Sequence, residues 1–304
     1  MTRRAQNPAG VLMIRPTGFA VNAETAADNA FQGEGSPGDR DGALAEFDAM
    51  VAALREAGVA VVVFDQARAD TPDAVFPNNG LTTHADGLVV TYPMRAPSRR
   101  LERRGDVVDA LLHDHGFTDH LDLSGEESED RFLEGTGAVV FDHRQRLAYC
   151  ARSPRSDEAV LATLCARLGY ETVGFGAADA DGVPIYHTNV MMAVGGSASF
   201  ACLEAIADEA AREAVRERLK RAGTLLIELT LAQVAEFAGN SLEVEGEGGP
   251  VLVISAGGWR ALTDAQKGGL PPGLRIVAPG LPTIEKSGGS ARCMMAGLFP
   301  PRPR

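Results

Sequence analysis

The sequence predicts an α/β fold built from five small units, each with two strands, a helix and a further strand. Five times along the chain an apolar-periodic helix ends at a glycine and a strand follows at once. These glycines lie at positions 58, 116, 169, 223 and 269, so the intervals are 58, 53, 54 and 46 residues. A nearly constant period indicates a repeated supersecondary unit. The repeat therefore favours a ring of ββαβ units.

The first unit shows the order of elements. A strand at 11–14 precedes a polar loop at about 18–38 and a helix at about 41–57. Apolar residues keep helical spacing on this helix at Leu44, Phe47, Val51 and Leu54. Gly58 ends the helix, and a strand at 59–64 follows. The later units repeat this order, with helices at about 99–115, 157–168, 208–222 and 263–267 and strands at 117–123, 170–175, 224–229 and 274–278.

Alternating helices and strands are also typical of doubly wound folds with one parallel sheet, which remain the alternative. In this sequence, however, hairpin signals lie between the units. One example is Asp86-Gly87, which separates the apolar runs 81–84 and 88–92. A hairpin joins antiparallel strands, so the mixture of hairpins and crossover helices fits separate ββαβ units better.

Length and composition predict one globular domain. The chain has 304 residues, of which 45% are hydrophobic and 23% charged, as in ordinary globular proteins. We expect a single domain over 1–304 with a flexible segment at 1–10. The longest apolar runs are far too short to span a bilayer, and the net charge of −12 argues against a nucleic-acid partner.

The four cysteines form no C-x-x-C pair, so neither a disulfide framework nor a metal site is expected. Cys150, Cys165 and Cys202 each lie among apolar neighbours and are interpreted as core residues. A reducing cytoplasm is the compartment that fits this pattern best.

Each unit carries a polar segment at a similar distance after its glycine, between 17 and 24 residues. If the units surround an axis, these segments should meet. They are Pro77-Asn78-Asn79, Glu134-Gly135-Thr136-Gly137, Tyr186-His187-Thr188-Asn189, Asn240-Ser241 and Ser290-Ala291-Arg292-Cys293. Together they supply a thiol, an imidazole, a carboxylate and several amides, which form a nucleophile–base–orienting group set.

Cys293 is the candidate nucleophile. It lies between the glycine-containing loop at 287–290 and an apolar run at 294–299, beside Arg292. Backbone N–H groups and a fixed positive charge favour a thiolate. The alternative is an inert thiol in a strand.

The other candidates have structural alternatives as well. Glu134 could be a solvated charge at a strand end, and His187 a hydrogen-bonded core histidine. Asn78, Asn79 and Asn240 are common turn residues. A metal site at His113 and His115 is disfavoured because positions i and i+2 of a helix do not share a face.

Several motifs resemble the guanidine-modifying superfamily of arginine deiminases, dimethylarginine hydrolases and amidinotransferases. They are Leu133-Glu134-Gly135, Ser153-Pro154-Arg155-Ser156, His187-Thr188-Asn189 and Gly288-Gly289-Ser290-Ala291-Arg292-Cys293-Met294. Within that superfamily the chain looks most like the citrulline-utilisation hydrolases related to arginine deiminases. This second resemblance rests on Ile14-Arg15-Pro16, Asn22-Ala23-Glu24-Thr25, Phe76-Pro77-Asn78-Asn79 and Thr188-Asn189-Val190-Met191-Met192.

The resemblance implies a five-bladed α/β propeller in which Cys293 attacks the substrate carbon, His187 transfers protons and Glu134 orients the site. It also implies that Arg155 holds the substrate α-carboxylate, with Arg99 or Arg100 as a second anchor. The remaining substrate-binding candidates are Asn78, Asn79, Asn189 and Arg292. No metal or organic cofactor is implied, and the partner is a small amino acid. The oligomeric state stays open, a homodimer included.

Two departures from the superfamily pattern bear on the substrate. Arginine deiminases hold the guanidinium with two aspartates, where this chain has Asn79 and Asn189, and tend to carry an acid at the position of Gly137. An unpaired buried guanidinium costs several kcal/mol. Amides both donate and accept hydrogen bonds, which suits a neutral ureido group.

The sequence therefore predicts a cysteine hydrolase that converts citrulline to ornithine, CO2 and ammonia. One alternative keeps the site but takes arginine, a methylated arginine or an amidino donor as substrate. Another is a non-catalytic propeller that binds a partner.

Overall fold

The computed structural model describes residues 5–26 and 29–300, and its strands form five separate three-stranded sheets. In chain order the strands are β1 Gly10–Arg15, β2 Ala60–Asp65, β3 Leu81–Thr83, β4 Leu88–Thr91, β5 Asp119–Asp122, β6 Val139–Asp142, β7 Leu147–Ala151, β8 Glu171–Phe175, β9 Met192–Val194, β10 Ala198–Ala201, β11 Leu225–Glu228, β12 Leu242–Gly246, β13 Gly249–Val253, β14 Arg275–Val277 and β15 Ala296–Leu298.

Ten α-helices lie between or before these strands in the described part of the chain. They are α1 Asp39–Glu56, α2 Pro97–Arg100, α3 Gly105–Asp114, α4 Gly135–Ala138, α5 Glu158–Leu168, α6 Thr188–Met191, α7 Glu209–Arg221, α8 Leu231–Ala235, α9 Ala256–Ala261 and α10 Asp264–Gly268. The predicted helix at 99–115 is two helices, because α2 ends at Arg100 and α3 begins at Gly105. None of the described helices is long and apolar enough to cross a membrane.

All five sheets have the same internal arrangement. A middle strand pairs antiparallel with one neighbour and parallel with the other, as β4 does with β3 and β5. The crossover helices α1, α3, α5 and α7 connect the parallel strands of four sheets, and α9 and α10 connect those of the fifth. The sheets therefore repeat the predicted ββαβ unit. In the first sheet the antiparallel partner of β1 is β15, so the end of the chain completes the unit at its beginning.

The repeat glycines have a common conformation. Gly58, Gly116, Gly169 and Gly223 have φ angles of 74°, 77°, 72° and 72°, in the left-handed region that glycine adopts without strain. The fifth, Gly269, has φ −80° and caps the short helix α10 in the right-handed region. The predicted helix stop is therefore confirmed in the fifth unit as well, although the backbone of Gly269 differs from that of the other four glycines.

Apolar faces of the helices cover the sheets. Phe47, Met50 and Leu54 of α1 pack in one cluster with Val11 and Met13 of β1. Each of these five side chains is at most 1% exposed, so burial of this face stabilises the first unit.

The first ten residues lie partly within the body of the protein. Gln6 and Asn7 are buried, and Asn7 donates hydrogen bonds to Glu243 and Glu245 at 2.9 and 2.8 Å. The segment at 1–10 is thus held at residues 6 and 7, in contrast to the expectation of flexibility. Residues 1–4 of that segment lie outside the described residues.

Gly135 lies in the second polar segment and packs against the first, so a substitution at this position tests the fold. Its φ is +44°, and a Cβ there would lie 2.4 Å from the carbonyl oxygen of Asn78. We expect Gly135→Ala to lower the free energy of unfolding by about 1–3 kcal/mol, measured by denaturant titration. Gly125→Ala, where a Cβ meets no atom within 4 Å, is the matched control. Equal stability of the two variants would contradict the packing described.

Candidate active site

The thiol of Cys293 lies in a small cavity of about 20 Å³. The cavity wall is formed by side chains from several segments: the loop after β1, the segment before β3, helix α2, the turn after β7 and the segment before α6. The lining residues are Thr25, Asn29, Asp73, Phe76, Asn79, Arg99, Arg155, Tyr186, His187, Ser287, Gly288, Gly289 and Cys293. The cavity has room for one or two waters, so an amino acid enters only when part of this wall moves.

Two amide groups point at the sulfur. Nδ2 of Asn240 lies 3.2 Å from Sγ of Cys293, and Nδ2 of Asn189 lies 3.4 Å from it. Oδ1 of Asn240 accepts the backbone N–H of Arg292 at 3.0 Å, which fixes the orientation of the amide. N–H donors directed at a sulfur stabilise its negatively charged form. The environment of Cys293 therefore suits a nucleophilic thiolate.

A buried carboxylate holds the imidazole. Nε2 of His187 lies 2.8 Å from Oε2 of Glu134, a residue with no exposed surface. Nδ1 of His187 lies 3.3 Å from Nδ2 of Asn79. Because the amide nitrogen donates, Nδ1 is the acceptor and the proton of the neutral ring is on Nε2, where it bonds Glu134.

The charge states of this pair follow from burial and from two arginines. Burial opposes ionisation of Glu134, but Arg155, His187 and Arg99 outweigh it and lower the pKa of the carboxyl well below its ordinary range. Burial lowers the pKa of His187 to about 4, although Glu134 favours the charged ring. The site thus contains an ionised carboxylate and a neutral imidazole at neutral pH.

Arginine and aspartate side chains form the other wall. Arg155 lies 3.3 Å from Glu134 and over the ring of Tyr186, and Arg99 lies 3.9 Å from both Glu134 and Asp73. Asp73 is 3% exposed, and its Oδ1 has no hydrogen-bond partner among the described residues.

The structure brings most of the predicted site residues together. Cys293, His187, Asn79 and Arg155 line the cavity. Glu134 and Asn189 do not line the cavity themselves. Glu134 contacts the ring of His187, and Asn189 contacts the sulfur of Cys293.

Arg100 is not brought to the cavity. Its guanidinium donates to the carbonyls of Met94 and Arg95, at 2.9 and 3.2 Å, and lies 3.7 Å from Glu127. Its neighbour Arg99 is the arginine of this run that lines the cavity, since successive residues of a helix point about 100° apart.

Asn78 and Arg292 do not line this cavity either. Asn78 is fully buried beside it, and both polar atoms of its side chain lack partners among the described residues. The guanidinium of Arg292 faces a different cavity and donates to the carbonyl of Met295 at 2.7 Å.

Sequence reasoning missed Asp73 and left Asn240 without a site role. Asn240 belongs to one of the five phase-matched polar segments, so the repeat contained the signal that could have selected it. Asp73 lies in an irregular segment between β2 and β3 and had no such signal. Gly137 is also explained: a Cβ there would lie 2.7 Å from Nδ1 of His187, which leaves no room for the acid that arginine deiminases tend to have.

No group of three metal-ligating side chains is found among residues 5–26 and 29–300.

The lowered pKa of His187 predicts a pH dependence of stability. Between about pH 6.5 and pH 4 the unfolded chain protonates this histidine and the folded chain does not, so acid favours unfolding. We expect His187 to contribute a loss of roughly 3 kcal/mol over this window. Comparing the free energy of unfolding of wild type and His187→Gln at several pH values isolates this contribution.

The comparison is needed because Glu102 acts in the opposite direction. Burial raises its pKa to about 7, so its contribution to stability declines as pH rises from 4.5. His113→Gln, at an exposed position, is the control. Parallel pH profiles for wild type and His187→Gln would show that the ring is not held neutral.

Known structures share this fold. The N-terminal domain of the arginine dihydrolase ArgZ from cyanobacteria, bound to substrate, superimposes with a TM-score of 0.74 at 19% identity, covering 96% of this chain and 98% of that domain. A dimethylarginine hydrolase, DDAH, from Pseudomonas aeruginosa, a cysteine-to-serine mutant complexed with citrulline, gives 0.67 at 14% identity, covering 95% and 99%. This chain spans 41% of the longer apo ArgZ chain. At these identities the likeness concerns the fold.

No curated protein sequence matches the chain. The family described as N,N dimethylarginine dimethylhydrolase, eukaryotic, matches residues 15–300, nearly the whole length. The chain therefore belongs to this dimethylarginine dimethylhydrolase family, within the guanidino-modifying superfamily, and is a hydrolase of carbon–nitrogen bonds.

Proposed function

We propose that the protein hydrolyses the ureido group of citrulline to give ornithine, CO2 and ammonia. The observation that carries this proposal is the pair of amides, Asn79 and Asn189, beside the thiol where a cationic substrate would need carboxylates. Oδ1 of each asparagine is buried without a hydrogen-bond partner among the described residues. Both oxygens are available to accept N–H groups of a bound ureido group.

The balance of charge around the cavity supports a neutral reacting group. The negative charge of Glu134 is matched by Arg155 and by a share of Arg99. A substrate guanidinium at the thiol would add a positive charge, and the remaining carboxylate of the cavity wall, Asp73, already lies 3.9 Å from Arg99. Burying such a charge costs several kcal/mol, whereas a ureido group adds none.

The far wall suits the head of an α-amino acid. Arg99 and Arg155 offer guanidinium donors for a carboxylate, and the unpartnered Oδ1 of Asp73 offers an acceptor for an ammonium. These groups are opposite in sign to the two charges of a zwitterion. We propose that these groups bind the α-carboxylate and α-ammonium groups of the substrate, and that the end of its side chain lies at Cys293.

In the first half of the reaction His187 accepts the thiol proton, and the sulfur of Cys293 bonds to the ureido carbon. The C–N bond to the ornithine side chain then breaks, and the imidazolium returns its proton to the departing amine. Glu134 stabilises the imidazolium while it exists. A carbamoyl thioester remains on the sulfur.

In the second half a water loses a proton to His187 and its oxygen bonds to the thioester carbon. The C–S bond breaks, the sulfur recovers its proton through His187, and carbamate departs. Carbamate decays to CO2 and ammonia. One citrulline and one water are consumed per turnover.

We also propose that the five sheets close into a five-bladed propeller and that residues 1–304 form one domain. Contacts between successive sheets support closure: β15 packs against β3, β6 against β9, and β12 against both β9 and β1. A cytoplasmic location is proposed with it, from the four free cysteines.

A guanidino substrate is the second candidate, and the observation that favours it is the family itself, whose name refers to N,N-dimethylarginine. The site would then be unchanged, and the thiolate would serve as counter-ion to the substrate. A non-catalytic binding role is the third candidate. It requires that Cys293 be unreactive.

Turnover of citrulline tests the proposal. Purified wild-type protein should release ornithine and ammonia in equal amounts from citrulline, and Cys293→Ser should lower kcat by a factor of about 10³ or more because the nucleophile is lost. Cys165→Ala, a buried cysteine of helix α5, is the control and should keep activity. Full turnover by Cys293→Ser would overturn the mechanism. Failure of wild type to react with either citrulline or an amidine alkylator would favour the binding role.

Asn79→Asp tests the charge argument. A carboxylate at this position supplies the missing counter-charge, so the ratio of kcat/KM for arginine over citrulline should rise by about 10- to 100-fold. Asn79→Ser removes the amide without adding charge and should leave that ratio nearly unchanged. A panel of arginine, methylated arginines and citrulline gives the readout. An unchanged ratio in Asn79→Asp would show that charge at position 79 does not select the substrate.

A further inference from the structure

A second cavity, here called the Arg292 cavity, lies next to the candidate site but shares no lining residue with the thiol cavity. Its volume is about 60 Å³. Arg292 and Ser241 in its wall directly neighbour Cys293 and Asn240 in the chain, the nucleophile and the amide that donates to it. The two cavities are thus separated by the backbone that carries the thiol.

The wall of the Arg292 cavity contains no Asp or Glu among the described residues. Its permanently charged group is the guanidinium of Arg292, which donates to the carbonyl of Met295 but forms no ion pair with any described residue. Partial burial lowers the pKa of Arg292 to about 10. Arg292 is partly exposed, so water shields part of its charge, and no carboxylate of the described residues pairs with it.

A hydroxyl in the same wall also lacks a partner. Ser241 is 1% exposed, and its Oγ makes no hydrogen bond to any described residue. The three threonine hydroxyls of the wall are engaged. Thr83 donates to the carbonyl of Gly297, Thr136 donates to that of Asn78, and Thr82 lies 2.7 Å from the hydroxyl of Tyr92. Ser241 therefore offers a free O–H donor in the same cavity wall as Arg292, which forms no ion pair with any described residue.

We propose that the Arg292 cavity binds a small monovalent oxyanion, of the size of formate or bicarbonate, between the guanidinium of Arg292 and the hydroxyl of Ser241. A cavity of this volume holds a few waters or one such planar anion. Waters would satisfy the hydroxyl, whereas an anion would in addition pair with the guanidinium of Arg292. An oxyanion satisfies both, because guanidinium and hydroxyl groups donate to carboxylate-like oxygens.

Binding of an anion in the Arg292 cavity would affect the thiol of Cys293. The backbone N–H of Arg292 is held by Oδ1 of Asn240, and Nδ2 of the same amide donates to Sγ of Cys293. An anion on Arg292 neutralises the positive charge nearest the sulfur on that side. We expect alkylation of Cys293 by iodoacetamide to slow as the anion saturates.

Thermal unfolding in sodium formate tests the site directly, with sodium gluconate, too large for the cavity, at the same ionic strength. Formate at about ten times its Kd should raise the Tm of wild type by roughly 2 °C and the effect should saturate. Arg292→Met should abolish the rise because it removes the cation. Ser241→Ala should reduce it, and it tests the site even if Arg292→Met does not fold. Bicarbonate in place of formate asks whether the carbon released by the reaction occupies the site.

Equal Tm shifts in formate and gluconate would overturn the proposal, as would a formate shift that persists in Arg292→Met or is unchanged in Ser241→Ala. Saturation at a lower concentration of bicarbonate than of formate would identify the reaction's own carbon product as the occupant. Equal concentrations would identify a general oxyanion site. Both of these outcomes support a built anion site, and neither depends on turnover of citrulline.

Discussion

The ionised carboxylate of Glu134 is the interaction on which the rest of the site depends. It has no exposed surface, so its charge is tolerated only because Arg155, Arg99 and the ring of His187 surround it. The same contacts fix the tautomer of the imidazole and the direction of both guanidinium groups. Arg99 also forms an ion pair with Glu102, 3.0 Å away. Loss of the carboxylate would leave two buried cations facing each other, which is costly.

The repeated unit explains how distant segments reach this carboxylate. Glu134 and His187 each directly precede a one-turn helix, α4 or α6, that leads into the first strand of a sheet. Asn79 ends a 3-10 turn at the corresponding place before β3. Each unit thus delivers one polar side chain from the same structural position. This equivalence is why spacing from the repeat glycines identified the segments that meet, although they are far apart in the chain.

Sequence reasoning could not show which side chain of a segment points into the cavity. The family resemblance pointed to the run that contains Arg99 and Arg100, but only the pitch of the short helix α2 decides which guanidinium enters the cavity. Arg292 and Cys293 are adjacent, yet they face different cavities. Asp73 belongs to no repeated position and depends on tertiary packing alone. Sequence patterns therefore predicted the five ββαβ units and most of the side chains that meet at the cavity, while the choice between Arg99 and Arg100, the place of Asp73 and the direction of Arg292 required coordinates.

Activation of the thiol and charge of the substrate are linked. A cationic substrate brings its own counter-ion for a thiolate, so a protein that binds one has less need to stabilise the sulfur itself. A neutral ureido substrate supplies no such charge, and the protein must then provide donors. The two N–H groups of Asn189 and Asn240 directed at Cys293 are donors of this kind. They accept no proton and add no charge, so they stabilise a thiolate without attracting the anion or cation that a charged residue would require. The amides beside the thiol are thus consistent with one design, in which the protein and not the substrate activates the nucleophile.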